Sequence, residues 1–219
     1  MVHSQREHPR ALSYLWFVPV LCTICQINVK NCLVSIKMDN SVKIMPKAIV
    51  CEESVLRGDI TISPGCIIHT SATIIAECGP IILGENCIVE EYATIINKNA
   101  SEEAEAGGNA LIIGTNNVFE VGCHVQAKKI GENNIFECKS YVSPAVSVSS
   151  GCVIGAGCRL LAAQTLPEHT VIYSKNCLQR DAMEKQSQAL QIESLRKILP
   201  NYHHLKKATF DAKKIRGQV

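Results

Sequence analysis

Large apolar residues recur every six positions from residue 44 onward: Ile44, Val50, Leu56, Ile62, Ile68 and Ile74. After a nine-residue step the phase resumes at Leu83, Val89 and Ile95, and after a longer interruption at Ile113, Phe119 and Val125. A five-residue step leads to Ile130, and the period then runs through Phe136, Val142, Val148, Ile154, Leu160, Leu166 and Ile172. Neither an amphipathic helix nor an alternating strand has a period of six. A parallel β-helix does, because each hexad supplies one short strand and one turn. Four places after each large residue stands a small one, as at Ala48, Ser54, Cys66, Ala72, Cys87, Ala93 and Cys123, where a tight corner is expected. The pattern predicts an all-β parallel β-helix of hexapeptide repeats over residues 38–180, with six to seven coils. At about 4.8 Å per layer such a prism stands roughly 30 Å tall.

Two near-identical segments support this reading. Ile113-Gly-Thr-Asn-Asn-Val-Phe-Glu120 returns seventeen residues later as Ile130-Gly-Glu-Asn-Asn-Ile-Phe-Glu137. With three hexads per coil the segments lie in adjacent layers, one residue having been deleted. Asn116, Asn117, Asn133 and Asn134 then stack, and their amides can satisfy turn backbone along the axis.

Two stretches fall outside the period. Residues 97–110 (NKNASEEAEAGGNA) are polar and acidic and are expected to loop out of the coil. From Asp181 to Leu199, the residues Ile192, Leu195, Ile198 and Leu199 make an apolar face at helical spacing, and Pro200 is expected to end that helix. An open solenoid end needs covering, so the C-terminal α-helix is expected to pack along or over the last coils. It and the basic segment after it, together 181–207, supply the candidate partner contacts: Leu195, Leu199, Tyr202, His203, His204, Lys206 and Lys207. Residues 208–219 are expected to form a flexible tail.

Residues 1–37 show none of this periodicity. Arg6 and Arg10 precede an apolar run from Ala11 to Cys25, which resembles a signal peptide. The run is short, is interrupted by Pro19 and Thr23, and lacks a small-x-small cleavage site. We therefore expect an N-terminal extension outside the folded domain, with Met38 as the working start.

Composition narrows the function classes. Of 219 residues 47% are hydrophobic, enough for a core, and only 5% are aromatic, too few for a base-stacking platform. The net charge of +2 conceals an acidic body and a basic end: 41–180 carries a net −4 and 181–219 a net +4. Neither nucleic-acid binding nor membrane insertion is expected. The twelve cysteines fall largely at the small-residue slot of the repeat, Cys66, Cys78, Cys87, Cys123, Cys152 and Cys158 among them. They are expected as reduced, buried thiols rather than a disulfide framework.

Hexapeptide β-helices suggest two enzyme classes, acyltransferases and γ-class carbonic anhydrases, and fold alone decides neither. An acyltransferase wants a histidine general base in a cleft between subunits. His69 and His124 are the coil histidines, and His169 falls on a turn. A zinc hydratase needs three histidines and an open ligand position. Here His124 stands alone, with Gln126 near the place of a second, so His69 and His124 are at most vestigial metal candidates. Leu56-Arg-Gly-Asp59 resembles a segment of the carbonic anhydrase family, and Arg57 with Asp59 is expected as a structural ion pair at a coil edge. No catalytic residue, metal or cofactor is expected, and a homotrimeric enzyme of either class is the alternative reading.

Several strings carry a more specific resemblance: Met38-Asp-Asn-Ser-Val-Lys-Ile44, Leu56-Arg-Gly-Asp59, Ile74-Ile-Ala-Glu77, Gly79-Pro80, Ile113 to Gly122, and Lys197-Ile-Leu-Pro-Asn-Tyr-His-His-Leu-Lys-Lys207. Over about 38–207 the chain resembles the dynactin subunit 6 family of pointed-end β-helix subunits. That resemblance implies a left-handed coil and a non-enzymatic structural role in the dynactin complex, supporting dynein-driven transport along microtubules and cargo attachment. It implies dynactin subunit 5, the pointed-end actin-related protein and the p62 dynactin subunit as partners, with dynein and cargo adaptors reached indirectly. The implied location is cytoplasmic and cytoskeleton-associated, with the kinetochore as a further site. The stretch after Lys207 has no Ser-Pro or Thr-Pro, so proline-directed phosphorylation is not expected there.

Overall fold

Each coil of the protein turns three corners, and its backbone hydrogen bonds run to the coils above and below. The computed structural model describes residues 41–98, 109–182 and 188–209. The extension 1–37, most of the 97–110 insertion and the tail beyond Thr209 therefore lie outside the described residues. Strands of two to four residues form three parallel sheets. The first runs from Val42–Ile44 to Gln164–Leu166, the second from Ile49–Val50 to Thr170–Tyr173, and the third from Val55–Arg57 to Arg159–Leu160. The first sheet has seven strands, one per coil, so the solenoid completes about seven turns.

All twenty periodic residues point inward, with Leu56 partly buried and the others forming the axial core. The repeated segments sit in adjacent layers as their spacing predicts: Ile113 pairs with Ile130, and Phe119 with Phe136. The two phenyl rings stack at 4.8 Å between centroids, nearly parallel, and both are fully buried. The single-residue deletion between the segments is absorbed at a corner, which leaves the strand register intact.

The four asparagines divide into two roles. Asn116 and Asn133 turn the first corner with φ of 54° and 56°, a left-handed conformation that asparagine tolerates better than most residues. Asn117 and Asn134 occupy the next slot, fully buried. The Asn117 side-chain oxygen accepts the Asn134 amide N–H at 2.9 Å, and that of Asn134 accepts the Cys152 N–H at 2.7 Å. Asn117 also donates to the Gly114 and Gly131 carbonyls. In the same slot of other coils the Cys66, Cys87 and Cys152 thiols donate to the corner carbonyls of Gly84, Gly114 and Pro167. The slot thus takes a short side chain, and where that side chain is Cys66, Cys87, Asn117 or Cys152 it also donates to the corner carbonyls. Cys78 departs from the expectation. It is exposed, because the nine-residue step after Ile74 pushes that turn outward. The nine described cysteines are all free thiols.

The Arg57–Asp59 ion pair does not form. Both side chains are exposed, and no salt bridge joins them. The corner is held instead by Gly58 at φ 90°, where a Cβ would lie 2.6 Å from the Ala76 carbonyl oxygen, and by the Ile81 N–H donating to the Asp59 carbonyl.

The helix spans Ala189–Tyr202, later than expected, and the chain before it forms an antiparallel strand, Leu178–Asp181, against Thr170–Tyr173. Leu, Gln, Glu, Arg and Lys fill the helix, all good helix formers. Pro200 lies inside the last turn rather than ending it. The Asn201 side-chain amide donates to the Lys197 carbonyl, and the chain extends only at His203. Ile192 and Leu199 are buried against Cys51, Ile67, Ile88 and Val118 on the outer face of the second sheet, with Leu195 packed beside them. Ile198, expected on that face, is 50% exposed.

Two mutations probe this architecture. Asn117→Ala leaves the buried Asn134 N–H unsatisfied and should cost about 1–3 kcal/mol in denaturant unfolding. Leu199→Asp puts an unpaired charge beneath the helix and should cost on the order of 3 kcal/mol or more. Unchanged unfolding midpoints would show that these two contacts do not carry the packing.

Candidate functional site

His69 follows Ile68 at the second corner of its coil and is only 6% exposed. Its Nδ1 lies 2.8 Å from Glu91 Oε1, while Nε2 is buried without a partner. Burial, the largest single influence, would raise the Glu91 pKa, but the hydrogen bond from His69, a backbone hydrogen bond and the nearby His69 and His203 together outweigh it and hold that carboxyl below its usual range. His69 is thus enclosed and tied to a carboxylate, with no room for a substrate.

His124 lies on another sheet, two coils further on, in the outward row of the third sheet. Its ring stacks on Tyr141 with centroids 5.2 Å apart, and the Arg159 guanidinium sits 4.7 Å above the same tyrosine ring. The Gln126 amide donates to His124 Nε2 at 2.8 Å, which makes that nitrogen an acceptor and places the ring proton on Nδ1. Burial, then the charges of Lys98 and Arg159, push the His124 pKa below its usual value. The neutral ring is therefore a rung in a stacked column.

These placements do not fit a zinc centre. His69 and His124 occupy different faces, each already bonded to a neighbour, and among the described residues no three His, Cys, Asp or Glu side chains could hold a metal ion. Burial pushes Cys51 up to about 11 and raises Cys123 and Cys152, so these three thiols stay protonated. His169, on a left-handed turn, is exposed.

A ladder of glutamates along the second corner was not foreseen. Glu120 Oε2 accepts the Cys138 N–H at 3.0 Å, and Glu137 Oε2 accepts the Ala156 N–H at 2.8 Å. Glu90 Oε1 accepts the Gln191 side chain from the helix at 3.1 Å. Burial, and then the charge of Glu120, raise the Glu90 pKa. The signal was present in the Phe-Glu that closes both copies of the repeated segment, yet each glutamate needs the next coil in place before its carboxylate has a partner.

The candidate docking residues separate. Leu199 and Leu195 face the coils and hold the helix down. Tyr202 is 77% exposed, and His204 and Lys207 are also on the surface, whereas His203 and Lys206 are half-buried. The basic segment after the helix lies along the first coil. Leu205 bridges Cys51 antiparallel, the Glu52 N–H donates to the His204 carbonyl at 2.8 Å, and the Lys206 N–H donates to the Val50 carbonyl at 2.8 Å. Lys206 Nζ reaches the Glu52 carbonyl at 2.7 Å. The backbone pairing is invisible to a charge count.

The depressed His124 pKa fixes the sign of a pH effect. Between the folded value and the ordinary 6.5 the unfolded chain binds more protons, so stability falls as the pH drops through that window. His124→Phe should keep the stack and flatten that part of the stability-versus-pH curve. A curve identical to the parent's would remove His124 as its source.

No protein-family model matches the chain. Among solved structures, a hexapeptide transferase family protein from Anaplasma phagocytophilum is similar with a TM-score of 0.55 at 16% identity, over 74% of this chain and 88% of that one, which is a likeness of fold. The left-handed hexapeptide β-helix implied by the resemblance is the fold of this chain. Among curated proteins, dynactin subunit 6 of Xenopus tropicalis is 50% identical over 173 residues, 77% of this chain and 86% of that protein. Dynactin subunit 6 of Nematostella vectensis is 47% identical over 171 residues, 76% of this chain and 93% of that protein. At such identity over nearly the whole length of these relatives, the chain belongs to the dynactin subunit 6 family.

Proposed function

We propose that this protein is a non-enzymatic structural subunit of dynactin, placed in the pointed-end subcomplex, where it supports dynein-driven transport and cargo or adaptor attachment. The observation that carries this reading is family membership at 50% identity on a solenoid whose coil histidines are both tied to neighbouring side chains. A β-helix bonded layer to layer through its backbone is stiff. It can present flat faces and an open rim to neighbours without any bond chemistry. Its neighbours in this reading are dynactin subunit 5, the pointed-end actin-related protein and the p62 dynactin subunit, with dynein and adaptors reached through them. The working location is the cytoplasmic cytoskeleton, and the kinetochore where dynactin is recruited there.

Surfaces left free in the described residues support such contacts. Tyr202 and Ile198 form an exposed apolar flank of the helix, and Leu161 at the last coil is 61% exposed. The outer edges of Arg159–Leu160 and Gln164–Leu166 end their sheets. Burying a rim of this kind is a common way for β proteins to remove an unpaired edge.

Affinity purification of the tagged chain from cells, followed by size separation, mass spectrometry and zinc analysis, tests the proposal. Recovery in a very large particle with dynactin subunit 5 and the actin-related filament, without stoichiometric zinc, is the expected result. A small zinc-bearing homotrimer free of those proteins would overturn it in favour of the enzyme reading.

A further inference from the structure

Among the described residues no coil lies beneath the first, so its strands form a sheet edge with N–H and C=O groups to satisfy. On the second sheet the C-terminal segment fills that edge. Cys51 and Leu205 oppose each other, flanked by the bonds Glu52 N–H to His204 O and Lys206 N–H to Val50 O, each 2.8 Å. The contact continues around the corner to the first sheet, where the Thr209 N–H donates to the Ile44 carbonyl at 3.1 Å and the Ile44 N–H to Thr209 Oγ1 at 2.7 Å. Leu205 packs with Cys51 and Ile67 in the apolar cluster beneath the helix. Backbone bonds supply the affinity and one leucine the register, which is how a strand-addition site recognises an extended peptide.

We propose that the rim formed by Val50–Glu52 is a strand-addition site, guarded in the free protein by the chain's own His204–Lys206, and able to accept the same segment from a second copy when the guard is displaced. The segment is attached directly behind the helix end at Tyr202. That short tether gives it an effective concentration on the order of millimolar, so it holds the site in cis. Nothing in the pairing depends on the tether itself, because every contact lies within residues 204–209: the main-chain bonds, Leu205, the Lys206 Nζ bond to the Glu52 carbonyl and the Thr209 hydroxyl that accepts from Ile44. A second copy offers the identical segment in the identical register, which is the condition for strand exchange. The guard includes His204 and Lys206, which are also candidate partner contacts, but neither reading depends on the other.

The test uses the full-length chain and a fluorescent peptide spanning His203–Thr209. Lys206→Pro removes the N–H that donates to the Val50 carbonyl and releases the guard, while Lys207→Pro serves as the control. The Lys206→Pro chain should bind the peptide at least ten-fold more tightly than the parent and the control do, and a peptide carrying the same proline should not bind. Should the proline variant fold poorly by circular dichroism, Leu205→Ser loosens the guard without touching the backbone and should show the same gain. Cys51 and Leu205 occupy a non-hydrogen-bonded antiparallel position, where Cα atoms lie roughly 4.5 Å apart, within disulfide range. Leu205→Cys, oxidised onto Cys51, should therefore lock the rim and abolish peptide binding. Equal peptide affinity for the parent and the folded variants would overturn the proposal, as would binding to the locked chain.

Discussion

Everything in this molecule depends on backbone hydrogen bonds that run between coils rather than within them. A coil of about eighteen residues holds strands of only two to four, none of which could persist alone. Each is fixed because the coils above and below offer donors and acceptors in register. The inward residues then stack in columns, as Phe119 on Phe136, and close the axis to water. Corners are the only places where the chain must provide its own solution. It does so with left-handed residues such as Asn116 and Asn133 and with short donors such as Cys66, Cys87 and Asn117, which reach the next layer.

The same arrangement makes the ends a problem, because a stack of coils satisfies itself everywhere except at its first and last layers. The protein treats the two ends differently. At the start, residues 204–209 return from the helix and pair along the first coil over two of the three sheets. At the finish, Leu178–Asp181 folds back antiparallel on the second sheet, while the first and third sheets end in open strands. The helix between these two devices runs over the outer face of the second sheet and covers its apolar row. Closure of one end and exposure of the other give the solenoid a direction, a useful property in a subunit that assembles with neighbours.

Both coil histidines are held by neighbouring side chains. His69 is locked onto Glu91 and His124 onto Gln126 and Tyr141, so each histidine has become part of the wall. Their neighbours reinforce this, since buried thiols with raised pKa values can neither attack a substrate nor bind a metal readily. The fold is shared with a hexapeptide transferase, while the relatives at 47–50% identity are dynactin subunit 6 proteins.

The sequence by itself determined the parts governed by local repetition. The six-residue period placed all twenty core residues, the coil count and the register of the two Asn-Asn segments, because inward stacking acts on every layer alike. It also exposed the incomplete histidine set, since ligand spacing is a property of the chain. Only the tertiary structure decided what depends on distant partners. Arg57 and Asp59 looked like an ion pair but separate around Gly58, whose backbone approach to Ala76 sets the corner. Pro200 looked like a stop, yet the helix continues to Tyr202. The basic segment after it offered candidate partner contacts, and it also bonds to the edge of residues 50–52 across more than 150 positions of sequence. Periodicity carries no information about such an edge, because an unpaired strand exists only once the coils have been stacked.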